Sequence, residues 1–524
     1  MKCVSSNEMQ ALDQRTIKEA AISGQVLMER AGKAVALQVA ELCDDRDLAD
    51  PLIHFVAGRG NNGGDAFAAA AELSDCDFAV EVLLAGEMAD VKGDARAQLE
   101  RCLEAEIPVY EFSTAADWAF LQSVEQTADV LVDGLLGTGT KAGPPREPIS
   151  NAIEFLQQAR EKALVLAIDI PSGLDPDTGA VAGQAVQADV TLTIGLPKKG
   201  LIAAGAIEYV GHLMVADIGF PNEFVQEIAG DAEKELIVQA DVQGWLPRRR
   251  RAAHKGDFGH VLVIGGSRDY SGAVCLATLT CLRAGGGLVT AAVPESIADR
   301  VASFAPEIMV RGMAETEVGS LRADVWDTLR DQQDQYDAIL IGPGLTRHAE
   351  STQLIEAVVK EAKCPLIIDA DGLTAVDNPA ELFGQSNVPI VLTPHPGEFA
   401  HLFGQSVEQV QAHRIASART AAEQWQAVVV LKGGHTVIAA PGHRARVNPT
   451  GNPGIATGGS GDVLAGLCAS LVGQGLTPFD AASAAVWCHG TAADVLARRY
   501  TEATVIASDL IKALSAAFHK VCLR

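Results

Sequence analysis

The stretch VAGRGNNGGDAFAAA, Val56 to Ala70, decides the fold. It closes an apolar run that begins at Leu52 and opens an Ala-rich helical run read over Asp65–Leu73. Between them stand Gly58, Gly60, Gly63 and Gly64, and glycine permits the tight turn that carries a strand into a helix. Strand, glycine turn and helix form the repeating unit of a parallel sheet covered by helices.

The same alternation extends outward in both directions. Upstream, one helix is expected near Ser6–Leu42. Downstream, strands are read at Val80–Ala85, Asp129–Asp133, Leu164–Ile170, Asp189–Ile194 and Leu213–Val215, with a helix at Ile149–Lys162. These runs are almost continuously apolar, as strands buried on both faces are. They predict a Rossmann-like, doubly wound α/β domain over residues 1–225.

The stretch Gly219–Asp241 is acidic, shows no clear strand, and is followed by Leu246, Pro247 and Arg248–Arg251. The domain boundary is placed there, with the arginines read as a solvated linker rather than a binding patch. A second α/β series then fills residues 240–524. Its strands are expected at Val261–Ile264, Leu288–Val293, Ala338–Ile341, Pro365–Asp369, Pro389–Thr393 and Ala427–Lys432. A further pair is expected near Thr436–Ala439 and Arg444–Val447, and helices from Asp462 onward.

Bulk properties agree. A chain of 524 residues exceeds the roughly 250–300 residues at which single cores stop growing. The formal net charge of −26 repels polyanions and argues against a nucleic-acid partner. It leaves room for a phosphorylated small ligand, which glycine loops and helix N-termini hold locally. Ten cysteines without a C-x-x-C pair read as reduced thiols. No secretory leader or membrane span is read, so a cytoplasmic protein is expected.

Three loops of the first domain carry polar oxygens at strand ends. Gly58-x-Gly60-x-x-Gly63 satisfies the dinucleotide fingerprint formally, but the acidic residue expected to close the next strand is absent: Glu81 lies inside it. What marks the loop is Asn61-Asn62-Gly63-Gly64-Asp65, in which Asp65 reads equally as a helix cap or a ligand contact. The others are Val132–Gly139 (VDGLLGTG) and Asp169–Asp175 (DIPSGLD). Ligands of doubly wound sheets bind outside the carboxyl ends of the strands, so Asn62, Asp133 and Ser172 are expected to converge. An amide oxygen, a carboxylate and a hydroxyl suit a hard cation and not zinc. Asp169 is a candidate acid/base, or equally a brace for its own loop.

In the second domain Gly458-Gly459-Ser460-Gly461-Asp462 runs straight into an apolar helix. Glycine amides at a helix N-terminus make an anion hole, and Asp462 beside it is placed to take a proton from an attacking hydroxyl. An N-cap is the alternative for Asp462. With LKGGHT (Leu431–Thr436) and LTPHPGE (Leu392–Glu398) in the same domain, a phosphoryl-transfer site is the preferred reading. No P-loop motif occurs. His395, Glu398 and His401 lack the H-E-x-x-H spacing of a zinc site.

NNGGD, VDGLLGTG and DIPSGLD together resemble the NAD(P)H-hydrate epimerase family over roughly the first 220 residues. The resemblance implies a potassium ion on Asn62, Asp133 and Ser172. It also implies hydrate contacts from Asn61, Asn62, Gly63, Gly64, Asp65, Gly137, Thr138, Gly139, Thr140, Lys141, Ala142, Gly143 and Asp169. Ala66 stands where that family often has glycine.

From about Val242, HKGDFGHVLVIGGS, GPGL, TPHPGE, LKGGHT and NPGIATGGSGD resemble the ribokinase-like superfamily, and within it the ADP/ATP-dependent NAD(P)H-hydrate dehydratases. That implies a ribokinase-like α/β domain with nucleotide contacts from Lys432, Gly433, Gly434, His435, Thr436 and Gly461. Ala273, Gly344, His395 and Asp462 would hold the hydrate, and magnesium would accompany ADP. His435 departs from the commoner KGAGT; stacking on a base and facing solvent both stay open for it.

The expectation is a homo-oligomer carrying two activities, exchange of hydrate epimers and nucleotide-driven dehydration. Its small-molecule substrates would be hydrated NADH and NADPH together with ADP. The alternative is a ribokinase-type small-molecule kinase with a regulatory nucleotide-binding N-terminal domain.

Overall fold

The computed structural model describes residues 1–123, 128–139 and 143–522, with the side chain of Gln122 left out. Thr140, Lys141 and Ala142, expected at the first site, lie outside the described residues. The chain divides into two compact units, Met1–Ala232 and Glu233–Arg524.

The first unit is built on a seven-stranded sheet with every pair parallel. Its strands stand in the order Val109–Glu111, Ala79–Leu84, Leu52–Ala57, Val130–Gly134, Leu164–Ile168, Val190–Ile194 and His212–Ala216. The strand order reverses between Leu52–Ala57 and Val130–Gly134, which opens a crevice at their carboxyl ends. Ile53, Phe55 and Ala57 face one core and Val56 the other, the period of two that a strand imposes.

The second unit holds a ten-stranded sheet. Seven parallel strands run Met309–Met313, Leu288–Pro294, His260–Ile264, Ala338–Ile341, Leu366–Ile368, Ile390–Leu392 and Val428–Leu431. Val437–Ala439 and Ala445–Val447 continue antiparallel, and Lys234–Leu236 pairs parallel at the edge. Val261 and Val263 pack under the helices Ser271–Arg283, Ser460–Gly473, Pro478–Ala497 and Ala507–Cys522. Leu262 and Ile264 pack on the opposite face with Ala349–Glu361, Pro396–Phe403 and Arg414–Trp425. Its switch point lies between His260–Ile264 and Ala338–Ile341.

Four departures from the sequence reading have physical causes. The expected helix over 6–42 is two helices, Ser6–Glu19 and Gly24–Asp45. Ala21 turns left-handed at φ 55°, and Ser5 and Ser23 each cap the helix that follows them. Lys234–Leu236 lies in the stretch read as strand-free; its charged residues hide an edge strand that pairs with Ala445–Val447, with Glu235 accepting from Arg446 at 3.1 Å and Leu236 buried. Val109–Glu111 and Met309–Met313, both polar edges, went unread for the same reason. The helix read over 65–73 begins at Asn61.

Among the described residues no helix is long and apolar enough to cross a membrane. The cysteines are thiols, and burial pushes those such as Cys102 up to about 12.

Candidate active sites

In the first unit the early start of Asn61–Ser74 places Asn62 and Asp65 inside its opening turns, with Gly60 as an N-cap that makes no side-chain hydrogen bond. Asp65 is therefore not a cap. Gly63 is required by close approach: a Cβ there would lie 1.8 Å from the carbonyl oxygen of Gly58.

Asn62, Asp133 and Ser172 converge at the switch point. The Asn62 amide donates to the carbonyls of Leu136 (3.0 Å) and Ile168 (3.1 Å), which leaves its Oδ1 as an acceptor. Ser172 Oγ donates to Asp133 Oδ1 at 2.6 Å, and the Ser172 amide donates to Oδ2 at 2.8 Å. Burial raises the Asp133 carboxyl to about 6 against these donors. An all-oxygen set around one buried carboxylate fits a hard monovalent cation.

Asp169 follows the strand Leu164–Ile168 with φ 67°. Its Oδ1 accepts from the Ile194 amide (3.0 Å), from Thr193 Oγ1 (3.3 Å) and from the ammonium of the fully buried Lys198. That ammonium also donates to the carbonyl of Ile194 at 2.8 Å. Bracing is thus a role Asp169 fills in the structure. Around Lys198 stand the carboxylates of Asp169, Asp65 and Asp13. Burial, with repulsion from Asp169 and Asp13, lifts Asp65 well above the ordinary carboxylate range. Burial also lifts Asp13 to about 6, with Lys198 opposing it. Lys198 and Asp13 went unread: one is a lysine in a loop, the other one acid on an amphipathic helix. Gly137 adjoins Asn62, and the carbonyl of Thr138 accepts from Gln10 at 3.3 Å. Gly139 and Gly143 are exposed.

In the second unit the carboxyl ends of three neighbouring strands and one helix start bring charged groups together. Asp369, buried after Leu366–Ile368, accepts from Thr393 Oγ1 at 2.7 Å and from Lys432 Nζ at 3.1 Å. Lys432 Nζ lies 3.9 Å from Glu398. A Cβ on Gly461 would meet that same Nζ at 3.3 Å. Burial works against the Lys432 charge, but Asp369 and Glu398 outweigh it and raise its pKa.

Asp462 is the third residue of Ser460–Gly473, whose N-cap is Gly459 at φ 89°. No side chain caps this helix, so Asp462 is not the N-cap. Burial first, then Asp369, raise its carboxyl to about 7, with Lys432 opposing. Burial raises Glu398 to about 7 as well.

His395 fills a capping role in the structure. Its Nδ1 accepts from the amides of Gly397 (3.0 Å) and Glu398 (3.2 Å), so it caps Pro396–Phe403, while the exposed Nε2 lies 3.5 Å from Glu398 Oε1. Gly344, at φ 69°, sits against Tyr270 and Ala273: a Cβ there would lie 3.4 Å from the Ala273 methyl. The amide of Thr346 donates to Asp371 at 2.9 Å and ties this loop to the carboxylate group. Lys432–Thr436 form the turn between Val428–Leu431 and Val437–Ala439, with Gly433 and Gly434 exposed, His435 at φ 49° and Thr436 Oγ1 donating to the Gly433 carbonyl at 2.9 Å. Sequence reading gives Asp369 and Asp371 no role and weighs Glu398 only in a zinc trio that its spacing does not support; the grouping of Asp369 and Glu398 about Lys432 exists only in the fold. Among the described residues no three His, Cys, Asp or Glu side chains are grouped to hold a metal ion. A magnesium ion would arrive with phosphate oxygens as its main ligands and one or two of these carboxylates beside it.

Comparison with known proteins matches the same two regions. A family model described as NAD(P)H-hydrate dehydratase matches residues 261–516, and one described as YjeF-related protein N-terminus matches residues 24–200. The chain is 38% identical over 98% of its length to a bifunctional NAD(P)H-hydrate repair enzyme of Moorella thermoacetica, covering 95% of that protein. It is 37% identical over 95% of its length to the protein of the same name from Thermofilum pendens, covering 92% of it. The ADP/ATP-dependent NAD(P)H-hydrate dehydratase of Bacillus subtilis, co-crystallised with ATP and Mg2+, is 33% identical. That match covers 54% of this chain and 97% of that one, with a TM-score of 0.48. With full-length relatives at this identity, the chain belongs to the family of bifunctional NAD(P)H-hydrate repair enzymes.

Proposed function

We propose that the chain restores hydrated NADH and NADPH in two active sites, residues 1–225 exchanging the R and S epimers at C6 and residues 240–524 dehydrating the S epimer with ADP. The observation that carries the reading is Asp462: a half-buried residue whose carboxyl has a raised pKa, in the field of Lys432 and next to Gly461 at an uncapped helix start.

In the second site Ala273, Gly344 and His395 Nε2 hold the hydrate, while Lys432–Thr436 and Gly461 hold the nucleotide. Asp462 takes the proton of the C6 hydroxyl as that oxygen attacks the terminal phosphoryl group of ADP. The bond to AMP breaks and AMP leaves with the electron pair. The new phosphate ester departs with the C–O pair, pushed by the ring nitrogen, and loss of a proton from the neighbouring carbon restores the reduced nicotinamide. Magnesium, held with the nucleotide by Glu398 or Asp371, would neutralise charge on the phosphates.

In the first site Asn61–Asp65, Gly137–Gly139 and Gly143 line the hydrate, and Asp169 acts as acid/base. Asp65, which stays protonated at higher pH than an ordinary carboxyl, is the proton source for the departing hydroxyl. Return of water to the other face of the iminium inverts the centre. A potassium ion on Asn62, Asp133 and Ser172 would offset the buried charge of Asp133.

A cytoplasmic homo-oligomer is part of the reading, and sedimentation checks the self-association. The discriminating assay feeds S-hydrate with ADP or ATP. Stoichiometric free phosphate with recovered nicotinamide absorbance supports dehydration. Accumulation of a stable phosphorylated product would instead indicate a kinase.

A further inference from the structure

Arg414 opens the helix Arg414–Trp425, and its guanidinium is buried, with 7% of the residue exposed. Among the described residues no carboxylate pairs with it; burial is the sole influence on its pKa, which falls to about 10. It therefore stays charged at neutral pH. Its Nη2 donates to the backbone carbonyls of Leu431 (2.9 Å) and Lys432 (3.2 Å), and its Nη1 to Gln411 at 2.6 Å. Its Nε is buried without a partner.

The guanidinium lies directly beneath Gly433. A Cβ on that glycine would meet Nη1 at 2.9 Å and Nη2 at 3.0 Å, and Gly433 has φ 140°. A buried cation without a counter-charge is expensive, and an apolar side chain of similar volume fills such a place at lower cost. The cost is offset when an anion sits above the loop. The planar fork also does what no apolar residue can: it clamps two successive carbonyls and so fixes the loop whose next side chain, Lys432, reaches Asp369.

We propose that Arg414 is a positioning residue for nucleotide binding, which holds the Lys432–Thr436 turn from below and places positive potential under the nucleotide's phosphates. It touches neither substrate; it acts through the backbone of residues 431 to 433. The proposal rests on the reading of this turn as the nucleotide site.

The test is steady-state dehydration by the full chain with ADP and Mg2+, each substrate varied in turn, for wild type, Arg414→Lys and Arg414→Met. Arg414→Met is expected to raise KM for ADP by about tenfold or more while KM for the hydrate stays within about twofold. Arg414→Lys keeps the charge but cannot clamp both carbonyls, so its KM for ADP should fall between the two. A folded Arg414→Met with unchanged KM for ADP, or with both KM values raised alike, overturns the proposal. If Arg414→Met does not fold, Arg414→Lys decides: an ADP KM equal to wild type overturns it. Should wild type itself dehydrate the hydrate without any nucleotide, the reading of the turn fails, a result separate from failure of the Arg414 role.

Discussion

Asp462 shows how a single residue's setting turns into pH dependence. Its carboxyl titrates near 7, and only the carboxylate accepts a proton. The kcat/KM for the hydrate should fall about tenfold per pH unit below that value and level off above it. A flat profile from pH 5 to 9 (on the order of four units, wide enough to show the limb) would remove Asp462 as the base. Stability runs the other way. Unfolding returns the group to the ordinary carboxylate range, so the folded chain binds the extra proton; the stabilisation is present at low pH and lost as pH rises through about 7. Asp462→Asn should abolish dehydration yet raise the melting temperature of this unit by ~3 °C at about pH 8. A lower melting temperature at that pH contradicts the assignment. Asp462 was legible because it ends a glycine run. Lys198, Asp13, Asp369 and Arg414 were not, because each is defined by partners far away in sequence, such as Asp369 for Lys432 at 3.1 Å.

At the scale of elements, strands followed by glycine turns were legible because buried parallel strands are apolar throughout. The edges were not: Lys234–Leu236 is held by backbone pairing that no side-chain pattern announces. The helix starting at Asn61 was read too late because glycines at 63 and 64 look like loop, although they lie inside the first turns. Gly63→Ala puts a methyl 1.8 Å from the Gly58 carbonyl, so the helix start must shift and carry Asn62 with it. Epimer exchange should drop by about two orders of magnitude, while dehydration of pure S-hydrate stays within about twofold. Epimer exchange at the wild-type rate in Gly63→Ala would show that the turn does not shape that site.

For the whole molecule, two units with separate cores predict separable ligand responses. ADP with Mg2+ at about 100 times Kd should stabilise the second unit by about 2.7 kcal/mol, and potassium should stabilise the first through Asn62, Asp133 and Ser172. In calorimetry the two ligands should move different transitions. Asp133→Ala should erase the potassium effect and leave the ADP effect. A potassium shift that survives Asp133→Ala places the ion elsewhere. The division into two α/β units was legible from length and alternation, and the convergence of Asn62, Asp133 and Ser172 was expected from their places at strand carboxyl ends, while the order of the strands was not legible.

The most direct measurement supplies separated R and S hydrates with ADP to full-length wild type, Asp462→Asn and Asp169→Asn. Epimer exchange and recovery of reduced nicotinamide are followed together. Asp462→Asn should lose recovery from both epimers and keep exchange, and Asp169→Asn should recover only the S epimer and lose exchange. Unchanged rates in both variants, or loss of both activities in each, would contradict two independent sites built on these carboxylates.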